Sequence, residues 1–346
     1  MGGEPSKGVD AGYVLDGWGE GCGIDVCMKK IAMKRPFAVV KLKQGARLVW
    51  ESHQEPMRGV AGQPVETREG ELGVMFLGHS SFLLQMAGAN VLIDPVFATR
   101  LIVLRRQRRP GVKVPDLPAI DLVLLTHAHM DHLNRPTLRR IIRATRRKTG
   151  RPPIVVVPQG VEDLVQDLGF REVRSMTWWG QMQVAGLDVT FTPAKHWGAR
   201  MFADTHRCFG GYVIVDSAGH RVYHSGDTAY FDGFKEIGAK LRPQVALLPI
   251  GAYFPDTYRA VHTSPEEGLQ AFVDVGAETM IPMHYGTFKL GREPMEEPPI
   301  RLMADAEKRG IADKVRILAE GETFLAGPQQ PAEARNLSPP AASNGA

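Results

Sequence analysis

Apolar positions along the chain fall into short runs in its middle and into wider helical stripes between them. Runs of four to six apolar or alternating residues, bounded by Gly, Pro, Asn or Asp, predict strands at 73–77, 81–85, 90–93, 121–125, 154–157, 187–192, 211–215, 221–224 and 245–250. A helical period over 136–148 puts Leu138, Ile141, Ile142 and Thr145 on one face and arginines on the other. A second helix is expected over 161–168, closed by Gly169. Ser264-Pro265-Glu266-Glu267 has the form of a capping box with proline at the first helical position, so another helix begins there. Hairpins come first and mixed strands and helices follow, which predicts two sheets sandwiched between helices in one domain over 36–327. Residues 1–35 are glycine-rich without a sustained period and read as a poorly ordered extension. Residues 328–346, rich in Pro, Ala, Ser and Asn, read as a disordered tail.

Composition narrows the class without changing that picture. Of the 346 residues, 43% are hydrophobic and 23% charged, the balance of a globular protein, which excludes collagen-like, coiled-coil and mucin-like chains. No stretch approaches the roughly 18 uninterrupted apolar residues of a membrane-spanning helix. Three cysteines are too few for a disulfide framework, which fits a reducing compartment and a cytoplasmic location. Charge does change the picture. Between residues 101 and 151 there are thirteen Lys/Arg against three Asp/Glu, clustered as Arg105, Arg106, Arg108, Arg109 and as Arg139, Arg140, Arg143, Arg146, Arg147, Lys148. Such a segment is either a solvated face or a contact for a polyanion, an anionic membrane surface in particular.

The densest chemistry is Thr126-His127-Ala128-His129-Met130-Asp131-His132, between a strand and a helix. Three imidazoles and a carboxylate within six residues are the donor set for zinc and similar divalent ions. One ion cannot take all four from so short a loop, whereas two neighbouring ions can share them.

His-x-His-x-Asp-His after a hydrophobic strand resembles the signature of the metallo-β-lactamase superfamily, whose fold is an α/β, αββα sandwich. That family's three further ligands, a histidine, an aspartate and a histidine in order, find counterparts in His196, Asp227 and His284. Gly78-His79-Ser80-Ser81, Asp94-Pro95-Val96-Phe97, Asp131-His132-Leu133, His196-Trp197, Gly226-Asp227-Thr228 and His284-Tyr285-Gly286-Thr287-Phe288 are similar to the branch of N-acyl-phosphatidylethanolamine-hydrolysing phospholipase D, and less fully to L-ascorbate-6-phosphate lactonase. The resemblance implies two zinc ions, with manganese or ferrous iron as alternatives. His127, His129 and His196 would hold the first, Asp131, His132 and His284 the second, and Asp227 would bridge them around a shared hydroxide. Asp131 and Asp227 are candidates for proton handling as well.

Further candidates lie around that core. His79 and Asp94, at strand ends, are read as partners that orient the ligands, with a buried hydrogen-bonded pair as the alternative. His262, before Pro265-Glu266-Glu267, is expected to touch a phosphoryl oxygen or protonate the leaving group, and Tyr253 to line the substrate pocket. His53, His206, His220 and His224 are read as surface or core residues. The expected function is phosphodiester hydrolysis on a phospholipid or a small phosphodiester, with peripheral contact to an anionic membrane. The alternatives are a lactonase and, third, a nuclease. Nucleic acid is disfavoured because no appended binding domain and no aromatics interleaved with the basic residues near 139–151 are present. The oligomeric state is left open.

Overall fold

A computed structural model describes residues 46–54, 56–200 and 204–327. The predicted N-terminal extension at 1–35 and the tail at 328–346 lie outside the described residues.

Two sheets face each other. The first has seven strands in the order β15-β1-β2-β3-β6-β7-β8, built from β1 (Leu72–Gly78), β2 (Ser81–Met86), β3 (Ala89–Ile93), β6 (Leu122–Leu124), β7 (Ile154–Pro158), β8 (Glu172–Met176) and β15 (Thr323–Ala326). The second has six in the order β14-β13-β12-β11-β10-β9, from β9 (Gln181–Val184), β10 (Leu187–Thr192), β11 (Gly211–Val215), β12 (Arg221–His224), β13 (Val245–Pro249) and β14 (Thr279–Met283). A small hairpin, β4 (Arg100–Leu101) and β5 (Leu104–Arg105), stands apart. In each sheet antiparallel pairing at one end gives way to parallel pairing at the other, β3–β6–β7–β8 in the first and β12–β13–β14 in the second.

The alternation of side chains along a strand explains why helices cover both outer faces. In β1, Val74 and Phe76 point between the sheets, where they meet Phe191, Ile214 and Leu247 of the second sheet. Met75 and Leu77 point the other way and pack with Leu138, Ile141 and Ile142 of helix α1 (Arg135–Thr149). The second sheet repeats the pattern. Val213, Tyr223 and Ala246 face outward onto helices α2 (Gly233–Leu241), α3 (Pro265–Val275) and α4 (Glu297–Lys308). The result is the expected αββα sandwich.

The α1 stripe holds as read. Leu138, Ile141, Ile142 and Thr145 are buried, Asn134 caps the helix through Thr137 N, and Gly150 closes it in the left-handed region. The capping box at Ser264 and Glu267 is present in both directions. The helix expected over 161–168 is only a 3-10 turn, Glu162–Leu164. An eight-residue stretch is too short to hold a helix by itself, and no side chain caps its start. Instead Asp163 is engaged by Arg207. Strands β8, β9, β14 and β15 and helices α2 and α4 carried too weak a period to be anticipated. Pro282 inside β14 is tolerated because β14 is an edge strand.

One expectation from composition is corrected. Arg106, counted among the outward basic residues, is fully buried, and its guanidinium donates to the carbonyls of Arg108, Val96 and Leu77. Arg108 is drawn into ion pairs with Glu296 and Glu320. Cys208 is buried. Among the described residues no helix is long and apolar enough to cross a membrane.

Candidate metal centre

The seven sequence-predicted ligands come from four separate turns, which leave β6, β10, β12 and β14, and His79, expected only to orient them, joins from the β1–β2 turn. The first sheet supplies His127, His129, Asp131 and His132 after β6, together with His79. The second supplies His196 after β10, Asp227 after β12 and His284 after β14. All gather at one edge of the sandwich.

Their ligand atoms form two groups. His79, Asp131, His132 and His284 lie within 4.8 Å of one another, and so do His127, His129, His196 and Asp227. Asp227 Oδ2 stands between the groups, 3.0 Å from His284 Nε2, 3.2 Å from His132 Nε2, and 3.9 Å from both His127 Nε2 and His196 Nε2. Its side chain is 2% exposed. A tetrahedral zinc site places nitrogen donors about 3.3 Å apart. His127 Nε2 and His196 Nε2 lie 2.8 and 3.2 Å from His129 Nδ1, close to that spacing.

The outer nitrogens are committed elsewhere. His132 Nδ1 donates to Asp94 Oδ2 at 2.7 Å and His196 Nδ1 to the Val261 carbonyl at 2.8 Å. His127 Nδ1 lies 2.9 Å from Thr126 Oγ1, whose own proton goes to Asp94 Oδ2 at 2.6 Å. Each Nε2 is thereby left facing the centre, where the neutral ring presents a lone pair. This is the tautomer a cation needs. His129 Nε2, His132 Nε2, Asp227 Oδ1 and both ring nitrogens of His284 are buried without a hydrogen-bond partner. Native interiors pair such atoms, so a cluster of orphans among ligand-type donors suits metal binding.

Backbone strain accompanies the centre. His79, Asp94 and His284 have φ of +60°, +42° and +61°, conformations that non-glycine residues seldom adopt. At Gly226, with φ of +63°, a Cβ would meet Gly210 O at 2.5 Å and Thr126 Cβ at 2.9 Å, so only glycine lets the Asp227 turn close on the β6 turn.

Electrostatics follow from burial and the two carboxylates. Burial pushes His127 and His196 well below the usual imidazole range. Burial also opposes the charge on His284, but Asp227 and Asp131 more than offset it and hold that imidazole at about 9. Burial would raise Asp227, yet the neighbouring His132 and His284 keep it well below the carboxylate range. The second group is thus a compensated cluster of opposite charges.

The remaining candidates separate. His79 Nε2 lies 3.0 Å from Asp131 Oδ2 and its ring leans on Phe288, so it sits among the ligand atoms themselves rather than behind them. Asp94 is fully buried behind His132 and also accepts from Thr126 N. His262 stacks on His284 at 5.1 Å, keeps 15% of its side chain exposed, and has Nδ1 3.9 Å from Asp227. Burial lowers it to about 3. Tyr253 does not join this centre. Its hydroxyl donates to Glu297 and its ring lies under Arg301, lining a separate cavity of about 450 Å³ with Glu266 and Arg259. His220, bonded to Asp216, and His224, bonded to the Ser80 carbonyl, are buried structural residues, while His53 and His206 are exposed. Sequence reading missed Thr126 and the Val261 carbonyl. Thr126 precedes the histidine run, a signal that was present, but a backbone acceptor leaves none.

Asp94→Asn is expected to weaken zinc binding about 10- to 100-fold, because the amide can no longer accept from both Thr126 and His132 as a carboxylate does. Calorimetric titration of zinc into metal-free protein reads this directly. Unchanged affinity would mean Asp94 is a structural buried acid only.

A β-lactamase superfamily domain model matches residues 89–285. An uncharacterised protein of Mycobacterium tuberculosis is 35% identical over 254 residues, which are 69% of this chain and 65% of that protein. The chain therefore spans somewhat less than two thirds of the length of that relative. A metal-dependent hydrolase of Methanopyrus kandleri is 34% identical over 255 residues, covering 72% of this chain and 98% of its own length. An N-acyl-phosphatidylethanolamine-hydrolysing phospholipase D of Caenorhabditis elegans is 30% identical over 255 residues, covering 68% and 69%. Among solved structures, a metallo hydrolase from the archaeon Ignicoccus hospitalis aligns with a TM-score of 0.58 and 28% identity over 75% of this chain and all of its own.

Proposed function

The chain belongs to the β-lactamase superfamily, and on that footing we propose that it is a metal-dependent hydrolase that holds two divalent cations, zinc by the chemistry of its donors, and cleaves a phosphodiester bond in a phospholipid of the N-acyl-phosphatidylethanolamine class. The observation that carries this reading is the position of Asp227, whose carboxylate lies between two groups of His/Asp donors. His127, His129 and His196 would hold one cation, Asp131, His132 and His284 the other, with Asp227 shared. His79 is close enough to the second group to compete for it. Bound cations at such a site supply a water acidified to near neutrality and positive charge to screen a phosphoryl group and its departing alkoxide.

The chain's own residues supply position and contact. Asp94 and Thr126 fix the orientation of His132 and His127, and Val261 does so for His196. Asp131 accepts from His79, which ties the β1–β2 turn to the centre. His262, partly open to solvent and with an uncommitted Nδ1, is placed to hydrogen-bond a phosphoryl oxygen of a substrate lying over Asp227. Trp197 lies edge-on to the His129 ring at 4.7 Å and is 41% exposed, an apolar wall beside the centre suited to an acyl chain. The phospholipase relative from Caenorhabditis elegans favours the same substrate class.

The test combines metal analysis with a substrate panel. Protein saturated with zinc is expected to retain two ions per chain after desalting, and chelation to abolish turnover. N-acyl-phosphatidylethanolamine and a soluble aryl phosphodiester should both be cleaved, and lactones poorly. At most one ion per chain would defeat the paired site. Lactone turnover exceeding that of every phosphodiester would defeat the substrate assignment.

A further inference from the structure

The β4–β5 hairpin has an unusual tip. Its two turn residues are Ile102 and Val103, 75% and 53% exposed. Two-residue hairpin turns favour Asn, Asp or Gly, because the backbone enters the left-handed region there. Ile102 does so, with φ of +53°, a conformation that is costly for a β-branched side chain. Neither folding nor solvation in water favours isoleucine at this position, so an external apolar contact is the remaining physical reason for it.

The tip does not stand alone. The Arg105 amide donates to Ser52 Oγ at 3.1 Å, and Gln107 Nε2 donates to the Ser52 carbonyl at 2.7 Å. These bonds fasten the helical segment 46–52 to the hairpin, and that segment carries Trp50, 65% exposed. The flanks are basic. Arg100 is exposed and Arg105 half-buried, and Arg47 beside Trp50 is largely in solvent while paired with Glu51. At its base the hairpin is packed close to the centre. Leu101 and Leu104 pack with Val96 and Phe288, and the Phe288 ring lies 5.3 Å from that of His79.

We propose that this corner is a membrane-docking surface, with Ile102, Val103 and Trp50 entering the interface of an anionic lipid bilayer and Arg47, Arg100 and Arg105 contacting its headgroups. An aliphatic tip with a tryptophan beside it and cations behind it matches the layering of a bilayer interface, apolar within, aromatic at the boundary, negative at the surface. This complementarity of charge and polarity selects a lipid surface over a second copy of this chain, which would face like charge. The inference stands apart from the substrate assignment, because it concerns binding without turnover.

The experiment uses the full chain and co-sedimentation with phosphatidylcholine–phosphatidylglycerol vesicles. The variant is Ile102→Asn/Val103→Ser. Asparagine tolerates the left-handed region better than isoleucine, so the change relieves strain and the fold is retained. Wild type is expected to bind these vesicles, less well as salt rises, and phosphatidylcholine vesicles weakly. The variant should lose about tenfold or more in vesicle affinity, with unchanged turnover of a soluble aryl phosphodiester. Trp50→Ser should lose affinity by a smaller factor. Equal binding by wild type and the hairpin variant would overturn the proposal. So would loss of binding in Arg143→Gln/Arg147→Gln alone, which would transfer the contact to helix α1, or a wild-type dimer in sedimentation that the hairpin variant dissolves.

Discussion

Asp227→Asn is expected to lower turnover of a soluble phosphodiester by on the order of 10³-fold or more, well beyond the loss caused by His262→Ala. Asp227 is the buried carboxylate that reaches both donor groups, whereas His262 touches the centre only through ring stacking and a 3.9 Å approach. In the proposed paired site, removing its charge would leave two cations facing one another in a poorly screened interior and would weaken a donor to each. Metal ions contribute several kcal/mol of transition-state stabilisation, and each 1.36 kcal/mol is about a tenfold rate change. On the proposed role of His262, the Ala variant would lose one hydrogen-bond donor to substrate, a loss nearer 10²-fold. Initial rates for both variants, with zinc content measured on the same samples, decide the matter. Near-normal turnover in Asp227→Asn beside an inactive His262→Ala would invert the roles. An Asp227→Asn protein that has also lost zinc would locate the loss in binding rather than in the step itself.

Arg106→Met is expected to be the most destabilising single change outside the metal centre, by about 3–5 kcal/mol. The Arg106 side chain has no solvent exposure, and burial pulls it down to about 10 while Glu320 supports its charge. Three carbonyls, from Val96, Arg108 and Leu77, accept its protons. Methionine fills much of the volume but leaves the Val96 and Arg108 carbonyls without that partner, each a penalty of about 1–3 kcal/mol before relaxation, whereas the Leu77 carbonyl keeps the Gly111 amide. Arg106→Lys should fall between, because one ammonium cannot reproduce the planar fork. Urea unfolding of the metal-free protein followed by tryptophan fluorescence measures the difference. A loss below about 1 kcal/mol would mean that water replaces the guanidinium.

The strand runs 187–192, 211–215 and 221–224 coincide with β10, β11 and β12. Their apolar content is dense and their ends are marked by turn residues, so local pattern and final structure agree. Edge strands β8, β9 and β15 are polar on one side or very short, and what holds them is a neighbouring strand, which a local window does not contain. Helix α4 similarly depends on Leu302 and Ala306 joining the apolar cluster it shares with helix α3 and the outer face of the second sheet.

The sequence by itself determined the chemistry of the centre. Seven His/Asp donors at strand ends, in a fixed order, are legible because metal binding demands rare residue types and the chain places them next to strong apolar runs. It also determined which face of α1 is buried, since a 3.6-residue period is a local property. Tertiary structure alone decided how those donors are shared. The place of Asp227 between the two groups, the entry of His79 among the ligand atoms, and the locking of His196 by the Val261 carbonyl all depend on turns brought together from both sheets. It also decided the sign of the basic segment. Arg106 points inward to carbonyls while Ile102 and Val103 point outward, the reverse of what composition suggests. A side chain's orientation is set by the backbone it crosses and the acceptors it meets there, and those arrive from parts of the chain that no local pattern records.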